Sequence, residues 1–300
     1  MAKYVIFTDT ASDLTKETRE KYGVEYFQMG LSIDGRATVA DLDWGEFSSD
    51  EFYKMLEEHR VIKTSLVTVG EVVNKSTKWL KEGYDILYLG CSCALTASAQ
   101  SYELAKQELL ADFPGRRMER VETYLASAGL GLLVRDAASE QKKGASLEQV
   151  MKFVEDNRFF YNQFCTVDTL SYLKANGRIS GSKAFFGNLM GVKPVFISDR
   201  KGNNYVTEKV KGTKASLDIL VQRTKENIVL TEDSVIIIMH SVCPDRVEIV
   251  KAKLLEEFGD KVKIEVGTLG PIIGGTTGPK TIAVFFKGKE VTRYDGEDKE

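Results

Sequence analysis

The sequence predicts an α/β protein of two domains: an N-terminal, mainly parallel sheet with flanking helices, and a C-terminal mixed α/β sheet. Three observations carry this. Short apolar runs alternate with amphipathic stretches of helical length through the first half. The strands among them are apolar on both faces, as strands covered on both sides must be. After about residue 158 the spacing changes, and hairpins mix with crossover connections. A chain of 300 residues has room for about two cores. The domains are placed at residues 1–157 and 158–290, with a polar tail at 291–300. No Gly/Ser linker marks the boundary, so close packing of the two is expected.

Tyr4, Val5, Ile6 and Phe7 read as a buried strand that ends at Thr8-Asp9-Thr10. A helix follows near 15–22, then an extended piece over 24–33 that turns at Asp34-Gly35. Ser48 and Glu51 have capping-box spacing, and the helix they open carries Phe52, Met55 and Leu56 on one face. The pattern continues with a helix over 70–82, a central strand over 85–89 and a helix from about 96 through 110. A strand over 118–121 and a helix over 126–142 come next. Ser146 and Gln149 form a second capping box, which opens a helix to about 158.

In the second half, 164–168 is short and apolar, and helical pieces are expected over 169–174 and 180–190. Residues 194–198 and 205–210 read as a hairpin joined by Asp199 to Asn203. Then come a helix over 213–227, a strand over 235–240, a helix over 244–258 and strands over 262–266 and 281–286.

Composition excludes several functions. The chain is 43% hydrophobic and 28% charged with five prolines, which is globular rather than disordered. Its net charge of −3 comes with no basic block, so no nucleic-acid footprint is present. Cys91, Cys93, Cys165 and Cys243 form no C-x-x-C pair, and free thiols fit a reducing cytosol. No metal is expected, because Cys91-Ser92-Cys93 has no histidine nearby. The longest purely aliphatic run, Val235 to Met239, is far too short for a membrane span. A soluble, cytoplasmic protein is the expectation.

Four segments carry more hydroxyls and glycines than connections need: 8–13, 63–68, 90–96 and 270–279. The third has the best setting. A strand ends near Leu89 and a helix starts near Thr96, so free N–H groups and the positive helix end face the loop and attract an anion. Ser92 and Thr96 could add donors there, or could simply cap the helix. The run Gly274 to Gly278 is not a phosphate loop, since Pro279 separates it from Lys280 and a strand follows. The supply of general bases is thin: only His59 and His240 exist. No G-x-S-x-G elbow is present. Such a chain looks like a binder rather than a hydrolase.

These segments, in their order, resemble the DegV family from Lys3 to about Phe286. Residues 7–14 match its V-T-D-S-T-S-D-L opening. Lys63-Thr64-Ser65 with Gly70-Glu71 match K-T-S-x-P-x-x-G-E, and Leu95 with Gln100-Ser101 keep the frame of S-S-G-L-S-G-T-x-Q-S. Residues 129–133 are typical. The strongest set is 167–170, Tyr172-Leu173, 177–180 and Lys193-Pro194, and 208–210 with 269–274 complete it.

The resemblance implies a bacterial lipid carrier that holds one long-chain fatty acid in an apolar tunnel between its two domains. It implies no catalytic residue, no metal and no cofactor beyond the bound lipid. The carboxylate is expected at Thr64, Ser65, Ser92, Cys93, Thr96 and Thr276. Lys174, Arg178, Gly274 and Gly275 are expected near the head group or facing a partner. Ala184, Phe185, Phe186, Leu189 and Met190 could line the tunnel. Some members, such as the lipid-carrying subunit of bacterial fatty acid kinase, present the acyl carboxylate to a separate ATP-dependent kinase.

The departures cluster at the head-group end. Ser92-Cys93 stands for a serine pair, Ala94 for its glycine, Lys174 for an arginine and Thr276 for a histidine, and Val67 and Val69 stand where prolines are expected. Lipid binding therefore carries over more directly than a kinase partnership. The alternative is a binder of another amphipathic carboxylic acid without kinase coupling. A true kinase of small hydroxylated substrates would need a nucleotide loop, and none is found.

Overall fold

The computed structural model describes residues 3–179 and 191–294. The helix expected over 180–190, with the tunnel residues Ala184, Phe185, Phe186, Leu189 and Met190, lies outside the described residues.

The first half contains β1 (Tyr4–Asp9), α1 (Lys16–Tyr22), β2 (Val24–Phe27), β3 (Met29–Ile33), β4 (Arg36–Val39), α2 (Ser49–Glu57), β5 (Ile62–Val67), α3 (Val69–Lys81), β6 (Asp85–Tyr88), α4 (Ser98–Asp112), β7 (Met118–Arg120), α5 (Ser127–Lys142) and α6 (Leu147–Asn157). Both predicted capping boxes form: Ser48 with Glu51 opens α2, and Ser146 with Gln149 opens α6. Strands β2-β1-β6-β7 make a parallel sheet in that order. Val5 to Asp9 of β1 are all buried, which is the two-sided cover that an all-apolar strand demands.

The extended piece expected over 24–33 is two strands in two sheets. It breaks at Gln28, whose backbone N–H donates to the Glu71 carboxylate at 2.8 Å. The Thr10 hydroxyl pins the same crossing, accepting from Met29 N at 3.0 Å. Beyond the break, β3 buries every second residue and centres a three-stranded antiparallel sheet, β4-β3-β5. This sheet places the Lys63-Thr64-Ser65 segment on a strand. A Cβ on Gly30 would lie only 2.1 Å from the Ser65 Oγ, so a side chain there would turn that hydroxyl away from its present position.

The second half contains β8 (Tyr161–Thr166), α7 (Ser171–Ala175), β9 (Val192–Ser198), β10 (Asn204–Lys211), α8 (Thr213–Asn227), β11 (Val235–His240), α9 (Pro244–Phe258), β12 (Lys263–Thr268), α10 (Pro271–Thr277) and β13 (Ile282–Lys287). Its sheet has the order β10-β9-β8-β13-β11-β12 and is mixed, with β11 and β12 parallel and the other pairs antiparallel. The expected fold class is therefore the observed one. Residues 270–279, expected as a glycine-rich loop, instead contain the short helix α10, with Gly270 as its N-cap and Pro271 in its first turn.

Alternation along β13 shows how the two halves join. Ile282, Val284 and Phe286 point into a core with Leu217, Leu220, Val247 and Val250 of α8 and α9. Ala283 and Phe285 point the other way, into the larger core shared with the first half. There α5 packs against both β8 and β13, and Phe285 lies against Gly129. Each such buried aromatic side chain contributes about 1.5–3 kcal/mol.

Candidate binding site

The site begins with a buried carboxylate. Asp9, at the end of β1, accepts from Tyr88 Oη at 2.7 Å, Cys91 N at 2.8 Å and Ala11 N at 3.0 Å. Burial pushes its carboxyl up, against those three hydrogen bonds. The contacts fix the 10–12 turn and the start of the 90–97 loop at the crest of the parallel sheet, the edge at which α/β sheets bind ligands.

Beside this crest lies a cavity of about 320 Å³, walled by β5, the 91–97 loop and α10 and floored by β8, β9 and β13. Cys165, Phe196, Ala283 and Phe285 make most of the floor, and Leu269, Ile272 and Ile273 the opposite side. Burial raises the Cys165 and Cys91 thiols well above the usual range, so both behave as small apolar groups.

One end is polar. Thr64 and Ser65 of β5 line it, and neither hydroxyl has a partner among the described residues. Thr96 Oγ1 lies 2.8 Å from Ser98 Oγ and accepts from Ser98 N. That pairing moves the start of α4 from the expected Thr96 to Ser98, with Ala97 as N-cap. Arg178 sits exposed at the rim, held by Leu95 O at 3.1 Å and by Asn176 O. These two bonds to described residues engage two of its five N–H groups. The loop leading to Arg178 is anchored by Asp168, which pairs with Lys193 at 2.7 Å and Arg246 at 2.8 Å. Burial pushes the Asp168 carboxyl up, but the hydrogen bonds and charges of Arg246 and Lys193 outweigh it and hold it below the usual range.

The two halves are tied together beside the cavity. Asp13 accepts from Ser127 Oγ at 2.6 Å and from Gly270 N, at the head of α10, at 3.0 Å. Burial outweighs these bonds and raises the Asp13 carboxyl to about 7. Tyr53 Oη donates to Leu269 O at 2.6 Å. Gly274 permits that contact, since a Cβ there would lie 2.1 Å from the tyrosine oxygen.

The expected site residues fall into two groups. Thr64, Ser65, Thr96, Thr276 and Arg178 all line the cavity. Ser92 does not: it is fully buried behind the loop, its hydroxyl accepting from Ala94 N at 3.2 Å. Cys93 turns outward, its backbone N–H donating to Glu122 at 3.2 Å and its sulfur facing Arg120. Lys174 is exposed, and neither it nor Gly274 and Gly275 lines the cavity. Gly275 packs against Ile62, Phe52 and Thr64 instead. Thr276 lines the wall, but its hydroxyl donates to Ile272 O at 2.8 Å.

Sequence reading missed Ser127, Gln163 and Asn204, which also line the cavity. Gln163 had a signal: it is a large polar residue in the middle of a buried strand. His240, lowered by burial, accepts from Cys243 N at 3.3 Å, and neither it nor the exposed His59 reaches the cavity.

A family model described as an uncharacterised protein of the DegV family matches residues 3–289. The chain belongs to the DegV family. A DegV domain-containing protein of Clostridium perfringens is 35% identical over 288 residues, covering 96% of this chain and 98% of the relative. Among solved structures, a fatty-acid-binding DegV family protein from Thermus thermophilus matches with a TM-score of 0.84 at 27% identity, over 95% of this chain and 99% of that one. A fatty-acid-binding DegV family protein from Streptococcus agalactiae matches with a TM-score of 0.83 at 25% identity, over 97% and 100%. No helix among the described residues of this DegV chain is long and apolar enough to cross a membrane.

Proposed function

We propose that this DegV chain binds one long-chain fatty acid between its two halves and holds it without transforming it. The observation that carries the reading is one cavity with a hydroxyl-lined end and an apolar floor. The fatty-acid-binding relatives from Thermus thermophilus and Streptococcus agalactiae support it. The two halves are taken to divide near residue 157.

The carboxylate lies at the polar end. The free hydroxyls of Thr64 and Ser65 donate to it, with Thr96 and the Arg178 guanidinium close by. Hydroxyls hold a carboxylate without a buried counter-charge, each charge-assisted bond contributing about 1.5–3 kcal/mol. The tail runs over Cys165, Phe196, Ala283 and Phe285. At about 0.8 kcal/mol per buried methylene, a chain of about 16 carbons gains on the order of 10 kcal/mol, less the entropy of ordering it.

A carboxylate at this end lies near the exposed Arg178, within reach of a separate kinase, and delivery to such a kinase is the finer form of the proposal. The Thr276 hydroxyl, committed to the Ile272 carbonyl, supplies no proton-carrying group of its own to that reaction.

Native mass spectrometry of the purified protein, followed by denaturing lipid analysis, tests the reading. About one fatty acid per chain is expected. A ligand-free mass, with no uptake of palmitate or oleate, overturns it. Adding a fatty acid kinase and ATP to the loaded protein tests the finer form, and absence of acyl phosphate overturns that form alone.

A further inference from the structure

The apolar floor contains one polar side chain that no described residue satisfies. Gln163 is 7% exposed, lines the cavity, and has no hydrogen-bond partner for its amide among the described residues. Cys165, Phe196, Ala283 and Phe285 share the floor with it. It pairs in register with Phe285 across β8 and β13. Cys165, two residues along the same face, is about 7 Å away at the rise of a strand.

Most polar groups nearby are satisfied, the buried Thr166 hydroxyl farther along the same strand excepted. Asn162, the preceding residue on the opposite face, donates its amide to Phe160 O at 3.2 Å and Lys289 O at 2.9 Å. The hydroxyls of Ser127, Thr277 and Thr281 are engaged by Asp13, Ile273 O and Gly278 O. Among the described residues of the floor, Gln163 alone offers an N–H₂ donor pair and a free carbonyl oxygen to whatever crosses it. A plain alkyl chain laid over it removes water from the amide and returns nothing, which is unfavourable for a buried polar group.

We propose that Gln163 is a specificity residue for an oxygenated fatty acid, one with a hydroxyl or oxo group part-way along its chain. A hydroxyl there both donates to the amide oxygen and accepts from the amide nitrogen, and an oxo group accepts from the nitrogen. The carboxylate remains at the Thr64 end, so the proposal rests on the fatty-acid reading above and adds the class of tail.

Equilibrium competition on the full chain, stripped of co-purified lipid, tests it with stearate and a positional series of its monohydroxylated forms. The wild type is expected to prefer one positional isomer over stearate by about tenfold or more, the scale of one satisfied against one orphaned buried polar group. Gln163→Leu is expected to lose that preference and to bind stearate at least as tightly as the wild type. Its stearate binding also reports that it folds, and Gln163→Met, closer in shape, repeats the measurement if the leucine variant does not. Equal affinity of the wild type for every isomer and for stearate overturns the proposal and leaves the fatty-acid reading standing. So does an unchanged preference in the variants, or an equal loss of stearate and hydroxystearate binding, which would put the head group at Gln163. Binding of none of these acids by the wild type overturns the fatty-acid reading and this proposal together.

Discussion

The two sides of the cavity carry similar numbers of hydroxyls and use them differently. On the side contributed by the first half, Thr64 and Ser65 project from an edge strand and have no partners among the described residues. On the α10 side, Thr276 and Thr277 donate to the carbonyls four residues back in their own helix, at 2.8 and 2.9 Å. A threonine on a helix finds a carbonyl of its own helix within reach of its χ1 rotation, whereas one on a strand has no such carbonyl in its own segment. The same residue type is therefore left available on one side, where the carboxylate is proposed to bind, and satisfies its own helix on the other. Four predictions test that difference.

The largest effect is expected from the floor, which both sides share. Ala283→Phe places an aromatic ring where the tail is proposed to run. Palmitate and oleate binding should fall by about a hundredfold or more, while overpacking costs about 1–3 kcal/mol of stability. Calorimetry with a thermal melt on the same sample separates the two. Undiminished binding by a folded variant would move the ligand out of this cavity.

Next comes the polar end. Thr64→Val keeps the shape and removes the free hydroxyl, so affinity for a carboxylate should drop by about tenfold to a hundredfold, equivalent to about 1.5–3 kcal/mol. Thr64→Ser should restore most of it. A Thr64→Val protein with parental affinity places the head group elsewhere.

The third concerns the tie between the halves. The Asp13 carboxyl titrates near 7 when folded and near 3.8 otherwise, so it favours folding in its protonated form. The folded value is the higher one. Asp13's contribution is thus fully present below 3.8 and is lost as pH rises to about 7. Across that window the wild type should lose up to about 1.4 kcal/mol per pH unit relative to Asp13→Asn, which cannot titrate. Asp9 is also raised by burial but is common to both proteins, so it largely cancels in the difference. Urea melts across the window read the slopes, and parallel profiles would mean that Asp13 is charged in the folded state.

Much of the fold was legible because it depends on local pattern. The helices at 213–227 and 244–258 and the strand at 235–240 stand where the apolar spacing put them. What was not legible depends on partners distant in sequence. Nothing in 24–33 announces that Gln28 will meet Glu71 and send β3 into a separate sheet. The glycines at 274–275 suggested a loop, but they let α10 sit close against Tyr53 and Phe52. For the site, the family resemblance pointed to Thr64, Ser65, Thr96 and Arg178, all of which line the cavity, yet a sequence does not tell which way a hydroxyl points. Ser92 shares a loop with Thr96 and faces the interior instead.

The smallest effects are the sharpest test, because they concern residues expected at the ligand whose hydroxyls are committed elsewhere. Thr276→Val removes a hydroxyl whose partner, Ile272 O, remains a helix carbonyl, and valine keeps the volume on the cavity wall. Ser92→Ala removes an acceptor for Ala94 N behind the loop, which should cost about 0.5–1.5 kcal/mol of stability. Neither change takes a donor from the cavity, so fatty-acid affinity should stay within about twofold of the parent, less than 0.5 kcal/mol. The comparison that decides is between the two threonine-to-valine changes, which are chemically identical and differ in whether strand or helix carries them. If Thr276→Val weakens binding as much as Thr64→Val, the Thr276 hydroxyl leaves its helix carbonyl to meet the ligand. The two sides would then be equivalent, and the local backbone would not decide which hydroxyls are available.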